Sequence, residues 1–336
     1  MMGQGGAAAE RLPMPGPAAA GRPVSAAAGA ALIEVVHETR YDYSAPVSLS
    51  HHLAHLQPLD DAAQRLLHFH LAMDPAPALQ SAGVDTFGNA CVRFQFSQPH
   101  AALRVAATSR VELRPRFTAL EPARSPAWDA LRQRLRYVAG AGFEPALEFA
   151  QPSPYVPRLA ALREYAAPVF TPGRPVVQAA LALMQRVHAD FAYRSRSTEV
   201  DTPLAQVLAQ RAGVCQDFAH LMIAALRLHG VPARYVSGYL LTRPAGGGPA
   251  LVGADASHAW VQVWCPGTPG VGADGWLDLD PTNACVPALE HVRLAVGRDF
   301  GDVVPLRGVI RGGGRHTLAV GVTTRALQAP GKTPAR

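Results

Sequence analysis

Between Leu32 and about Arg116 the apolar residues recur at every second position, the period of strands with one face against a core. Ile33, Val35, Thr39, Tyr41 and Tyr43 share one face, while Glu34, Glu38, Arg40 and Asp42 take the other. The alternation returns at Leu67, Phe69, Leu71 and Met73, at Val92, Phe94 and Phe96, and at Leu103, Val105, Ala107, Val111 and Leu113. Turn segments such as Asp85-Thr86-Phe87-Gly88-Asn89 separate these runs. The pattern predicts an all-β, sandwich-like domain over residues 31–116.

The spacing then becomes helical. Trp128, Leu131, Leu135 and Val138 fit one stripe, inside a stretch (117–173) that reads as a linker with short helices. Val177, Leu181, Met184, Val187 and Phe191 fit a second stripe. Thr202-Pro203 opens a short helix that Gly213 can end. From Cys215 to His229 the chain is apolar nearly all round, which marks a buried central helix, and Gly230 and Pro232 stop it. Strand-like segments follow at Arg234–Leu241, His258–Cys265, Trp276–Asp280, Val292–Val296, Gly308–Arg311 and Thr317–Thr323. Residues 174–325 therefore read as a second, α+β domain with a central helix packed on an antiparallel sheet.

Composition narrows the function classes. Of 336 residues 49% are hydrophobic and 17% charged, enough apolar material for two folded domains. The formal charge of +6 rests on scattered arginines, with Lys332 the one lysine, whereas a nucleic-acid surface needs basic residues clustered on one face. No nucleic-acid partner is expected. Cys91, Cys215, Cys265 and Cys285 have no CxxC spacing and are too few for a disulfide scaffold, so a reducing, cytoplasmic setting without metal or other cofactor is the expectation. Residues 1–30 read as a disordered extension and 326–336 as a flexible tail. No run of about eighteen uncharged apolar residues suggests a membrane span.

The chemistry concentrates in three short strings. Cys215 falls in the first turn of the central helix, where free N–H groups and the positive end of the helix dipole favour a thiolate. Taken alone it reads more readily as an inert core cysteine, and the residues downstream overturn that. In a strand, residues 258, 260, 262 and 264 share a face, as do 276, 278 and 280. An antiparallel hairpin that sets Val261 opposite Leu277 and Trp260 opposite Asp278 also sets His258 opposite Asp280, within reach of a carboxylate–imidazole hydrogen bond. Nucleophile, base and orienting carboxylate would then follow in the order Cys215, His258, Asp280. The Cys215 backbone N–H is the first candidate for an oxyanion donor, with Tyr193 or the Gln216 side chain as the second. Asp217 complements the helix dipole or positions the catalytic loop.

The string Gly213-Val214-Cys215-Gln216-Asp217-Phe218-Ala219-His220 resembles the bacterial transglutaminase-like family, related to the papain-like cysteine proteases. Gly230 to Tyr239, Ser257-His258-Ala259-Trp260 and Asp280-Pro281-Thr282 continue the resemblance. His37-Glu38-Thr39-Arg40-Tyr41 and the Asp85–Asn89 turn resemble the N-terminal domain that accompanies it, and Gly297-Arg298-Asp299 to Gly308 the family's tail. The resemblance spans roughly residues 32–325 and implies that Cys215, His258 and Asp280 hold the catalytic positions. It implies a protein or peptide substrate that donates an amide, with amine or water as acceptor. Two features of animal transglutaminases are missing: a tryptophan shortly before the nucleophile, since Trp128 is distant, and an acidic cluster suited to calcium. The resemblance therefore speaks for thiol chemistry more than for protein crosslinking. Trp260 and Trp264 would form a dry wall that leans towards transfer over hydrolysis. The reading from another class is a catalytically silent binding module on the same scaffold.

Other signals are set aside. His220 is turned about 140° around the helix from Cys215, a poor place for its base, and reads as a hydrogen-bonded core residue. His51, His52 and His55, and likewise His68 and His70, lack a carboxylate or cysteine partner for metal binding. Gly270 to Gly275 spells GxGxxG but leads into a strand, so it reads as a hairpin loop.

Overall fold

The computed structural model describes residues 29–140, 142–195, 197–241 and 257–327. The expected extension over 1–30, but for its last two residues, and the tail from 328 onward lie outside them. The alternating region forms β1 (Ala31–Ala54), β2 (Gln64–Asp74), β3 (Leu79–Val84), β4 (Ala90–Phe96) and β5 (His100–Leu113). The long β1 shifts register between Asp42 and Val47. Its first half pairs with β5 and its second with β4, so it runs from one half of the sheet to the other. Val47, Val92, Phe94, Phe96, Leu103 and Val105 from the two halves share one core. A register shift between Leu66 and His68 turns Leu67 outwards, against the simple alternation.

The second region contains α1 (Trp128–Arg134), α2 (Ala160–Ala166), α3 (Val176–Asp190), β6 (Ala192–Tyr193), α4 (Leu204–Gln210), β7 (Ala212–Gly213) and α5 (Cys215–Leu228). Then follow β8 (Ala233–Leu240), β9 (Ser257–Trp264), β10 (Trp276–Leu279) and β11 (His291–Gly297), an antiparallel sheet in the order β10-β9-β8-β11. The central helix α5 is buried from Asp217 to Arg227, as an all-apolar pattern requires. It lies between α3 and the sheet face made by Ala233, Tyr235, Ala259, Val261 and Val263.

Two expected boundaries are corrected. The segment 117–173 is no linker: Leu131, Phe149, Leu162, Val169 and Phe170 are buried in the same core as α3 and α5. Its first stripe ends early, since α1 stops at Arg134 and Val138 is exposed. The last two strands, β12 (Leu306–Gly312) and β13 (His316–Leu327), were assigned with the second domain but pair with β1 instead. Alternation specifies a strand, not its partner, and the open edge of β1 offers the unpaired N–H and C=O groups that β12 and β13 satisfy.

The sheet of the second region is covered on its other face by the N-terminal one. Tyr239, Val292 and Leu294 pack with Ile33, Val35, Val111 and Leu113, and Trp260, Val236 and Val296 meet Leu59 and Phe87. Buried His37 reaches the Tyr239 hydroxyl at 3.0 Å. Along β11, two side-chain amides act as a substitute strand. Gln64 donates to the Arg293 carbonyl and accepts from its N–H, both at 2.7 Å, and Asn89 does the same at Val296, again at 2.7 Å each way. No helix among the described residues is long and apolar enough to cross a membrane.

Candidate active site

Three local devices fix the start of α5. Tyr193 bridges in parallel to Gly213, which ties the segment after α3 to the residues just before the helix. Val214 is the extended N-cap, and its N–H donates to Asp217 Oδ2 at 2.8 Å, the carboxylate half of a capping box. The Thr198 hydroxyl donates to the same oxygen at 2.6 Å. Burial pushes the Asp217 carboxyl up and these two hydrogen bonds oppose it. Gly213 is required here, since a Cβ would stand 2.7 Å from Asp217 Oδ2. Asp217 is thus a lock on the helix end. Cys215, half-buried, is the first helical residue.

His258, at the start of β9, is buried, and its Nε2 lies 2.8 Å from Asp280 Oδ2 just beyond the end of β10. Cys215 lies near enough to the ring to favour its charged form. Nε2 faces the carboxylate, which leaves Nδ1 for the thiol. Burial works against the imidazolium, but the charge and hydrogen bond of Asp280, reinforced from the other side by Cys215, raise His258 to about 10. Asp280 has no exposed surface; burial would push its carboxyl up, yet His258 and His291 hold it well below the usual range. The other cysteines differ: burial lifts Cys265 and Cys285 to about 12, and Cys91 is enclosed in the N-terminal domain.

The hairpin register is not the expected one. Leu277 pairs with Val263 and Leu279 with Val261, a slip of two residues that leaves every side chain on its anticipated face. His258 and Asp280 therefore meet diagonally. Asp280 leaves the ladder in a tight turn, its Oδ1 accepting the N–H groups of Thr282 at 2.9 Å and Asn283 at 3.2 Å. Asn283 Nδ2 donates to Oδ2 at 2.7 Å. His291, at the start of β11, adds its Nε2 to the same oxygen at 3.1 Å. Beneath this cluster Trp260 Nε1 donates to Asp278 at 3.1 Å, and Arg116 donates both to Asp278 and to the His291 carbonyl at 3.1 Å. Asn283, His291 and Arg116 escaped the sequence reading as parts of the site, and Asp278 entered it only as the residue opposite Trp260. The Asp-x-x-Asn spacing at 280–283 could have flagged Asn283; nothing local flags His291 or Arg116.

Gln216 is turned towards the segment before α4, its amide nitrogen donating to the Val200 carbonyl at 3.0 Å, which engages the group considered as an oxyanion donor. Tyr193 stands edge-on to Phe218 at 6.4 Å, beside the start of α5. Trp260 backs the His258 ring at 6.0 Å. Trp264 does not belong to that wall: it lies at the other end of β9, opposite Trp276 and under Arg134. Trp128 packs on His229, at the end of α5 away from Cys215. His220 accepts from the Phe300 N–H at 3.2 Å and burial lowers it to about 3.

His52 is buried against Phe94, and His68 and His70 are exposed on β2. The Gly270–Gly275 segment is the loop joining β9 to β10. His258, Asp280 and His291 would be the natural metal-ligating trio, all within 4.8 Å. Both imidazoles, however, point at one carboxylate oxygen at hydrogen-bond distance instead of enclosing a common centre, so the trio fits proton sharing better than a cation. A groove of about 640 Å³ on the N-terminal sheet, lined by His51, His52, Arg93 and Arg307, contains none of Cys215, His258, Asp280 and His291.

Residues 33–112 match the profile of the bacterial transglutaminase-like N-terminal region, and residues 163–281 that of the transglutaminase-like superfamily. An uncharacterized protein of Mycobacterium tuberculosis is 42% identical over 279 residues, 82% of this chain and 86% of the relative. One of Mycobacterium leprae is 34% identical over 300 residues, 88% of this chain and 99% of the relative. A protein-glutamine gamma-glutamyltransferase of Pseudomonas aeruginosa is 38% identical over 111 residues, 32% of this chain and 16% of the relative. Among solved structures, a candidate cysteine protease from Cytophaga hutchinsonii is alike in fold, with a TM-score of 0.66 over 90% of this chain and 93% of that one at 23% identity.

Proposed function

The chain belongs to the transglutaminase-like superfamily, and from that premise we propose that it opens amide bonds through a thioester at Cys215. The observation that carries this reading is the buried His258 ring, hydrogen-bonded to Asp280 at 2.8 Å, with Cys215 at the head of α5 close enough to favour its charged form. His258 takes the thiol proton, and the sulfur attacks the amide carbon. The oxyanion meets the free N–H groups at the start of α5. His258 then returns the proton to the departing nitrogen, leaving the acyl group on sulfur, and an amine or water releases it. Asp280 holds the tautomer in which Nδ1 can accept and stabilises the imidazolium.

The substrate we propose is a protein or peptide, with a glutamine side chain or a peptide bond as the amide. A half-buried sulfur at a helix end suits an extended chain laid across the surface, and the Pseudomonas relative's name favours glutamine. We assign the protein to a reducing compartment, in keeping with its four unpaired thiols.

The test is mass spectrometry of the intact protein after incubation with a glutamine-containing peptide, with and without a tagged primary amine. An acyl adduct at Cys215, absent in Cys215→Ala, and its passage to the tag or to water would support the reading and separate transfer from hydrolysis. Iodoacetamide labelling of Cys215 no faster than that of an ordinary thiol below pH 7, and unchanged in His258→Ala, would leave the binding-module reading instead.

A further inference from the structure

Asp280 serves two imidazoles. Its donors are the N–H groups of Thr282 and Asn283 on Oδ1, and on Oδ2 the Asn283 amide at 2.7 Å, His258 at 2.8 Å and His291 at 3.1 Å. A carboxylate offers about four lone-pair sites, so five donors must share it, and the three on Oδ2 compete. An anion only accepts, so Nε2 of His291 carries the hydrogen. Nδ1 of that ring is buried without a hydrogen-bond partner. A second proton there would be an orphaned donor beside the edge-on Trp260 ring at 5.2 Å. Arg116, bound to the His291 carbonyl and to Asp278, adds a positive charge nearby. Among the described residues the ionisable groups around the two rings include Cys215 from α5, Asp278 from β10, Asp280 and Cys285 from the turn after β10, Glu290 beside His291, and Arg116 from the chain after β5. Of the two rings, His258 alone has a thiol on its far side.

We infer that His291 is a positioning residue: it stays in the Nε2–H tautomer, takes a share of Asp280 Oδ2, and so limits how firmly that carboxylate holds the proton of His258. This rests on the reading of Cys215 and His258 as a thiol–imidazole pair. Too basic a His258 would keep its proton when the departing nitrogen needs it, so the second imidazole tunes the acid step of the reaction.

The experiment is nitrogen NMR of the full chain labelled in histidine, with ring signals assigned by substitution, on the parent, Cys215→Ala, His291→Phe and His291→Gln. In the parent, ring 291 at pH 7.5 shows its proton on Nε2. His291→Phe removes the competing donor and raises the His258 midpoint by about 0.5–1 pH unit, the scale of one ordinary hydrogen bond. His291→Gln, which keeps a donor, brings it back towards the parent. An unmoved midpoint in the folded Phe variant, an equal shift in both variants, or a proton on Nδ1 of ring 291 overturns the inference. Should the Phe variant fail to fold, the Gln midpoint and the ring 291 tautomer decide. Cys215→Ala tests the underlying reading separately: removal of the sulfur lowers the His258 midpoint, and no change there would sink the thiol–imidazole pair itself.

Discussion

Among the described residues two carboxylates, Asp85 and Asp280, each meet a buried imidazole from nearly the same turn. In the N-terminal domain Asp85 Oδ1 accepts the N–H groups of Phe87 and Asn89 at 2.8 and 2.9 Å, and the Asn89 amide donates to Oδ2 at 2.7 Å. In the second domain Asp280 repeats this with Thr282, Asn283 and the Asn283 amide, the last again at 2.7 Å. Each Oδ2 also faces a histidine Nε2, from His55 at 3.3 Å and from His258 at 2.8 Å. The difference lies beyond the rings. The other nitrogen of His55 is spent on the Val304 carbonyl at 3.3 Å, and its Nε2 lies within ion-pair range of Asp85 but is not aligned for a hydrogen bond. The His258–Asp280 contact is short and aligned, and Cys215, at the head of a helix, is near enough to act on the ring. A buried His–Asp pair is therefore not a site in itself. What makes one is the third atom on the free side of the ring.

The comparison is tested most severely by Asp280→Asn. A carboxamide at this place can turn its NH₂ towards Nε2, forcing the hydrogen onto Nδ1 and blocking acceptance of the thiol proton. Turnover of an amide substrate should fall by about 10³–10⁴, as expected when a triad carboxylate is replaced by its amide. A loss under tenfold in a folded variant would mean that Asp280 is structural, like Asp85.

Next in size is His258→Ala, which should slow alkylation of Cys215 at pH 6 by about 10²-fold, the lower range for a lost acid–base partner. In the parent the imidazolium persists up to about 10, because Asp280, reinforced by Cys215, outweighs burial. The sign of its effect on folding follows. A group raised from 6.5 to about 10 on folding stabilises the protein fully below 6.5, and that contribution disappears as pH rises through 10. Denaturant melts of parent and Cys215→Ala should thus diverge at pH 7 and converge above pH 10. Parallel curves across this range would contradict the raised proton affinity.

How far the sequence discloses this contrast depends on the kind of order involved. Cys215, His258 and Asp280 were legible because a helix start and two alternating strands fix their faces. The hairpin slip of two residues did not disturb them, since an even shift preserves the side chain's face. Partners arriving from elsewhere were not legible. His291 sits on the edge strand, and Arg116 reads from sequence as the end of a domain but lies under the site. β12 and β13 read clearly as strands, yet their pairing with β1 is a matter of which open edge is near, which no local pattern encodes. The segment 117–173 was misjudged because its prolines hid short helices whose apolar residues enter the core of α3 and α5.

A smaller effect on the site is expected at Gln64, where the N-terminal domain grips β11. Its amide satisfies the N–H and C=O of Arg293, two residues from His291. Gln64→Ala leaves those groups buried and unpaired, at a cost of about 1–3 kcal/mol in stability. Turnover should fall only a few-fold, since the far end of β11 remains held by Asn89. A loss as large as that of Asp280→Asn would show that the N-terminal clamp, and not the local turn, sets the geometry of the site.

The smallest effect on chemistry should come from Asp85→Asn, the mirror of the first substitution. Its Oδ1 would keep the Phe87 and Asn89 N–H groups, but the new NH₂ would face the Asn89 amide, donor against donor. Asn89 would have to turn, and its paired bonds to Val296 would weaken, so stability should drop by about 1–2 kcal/mol, the worth of a hydrogen bond to a charged group. No thiol waits on the far side of His55, hence Cys215 alkylation and amide turnover should stay within about twofold of the parent wherever the variant is folded. The two Asp→Asn variants share an almost identical turn, so unequal chemistry with comparable folding cost would isolate the role of the third atom. If instead both abolish turnover, the N-terminal turn is part of the working site and the contrast drawn here between the two pairs is wrong.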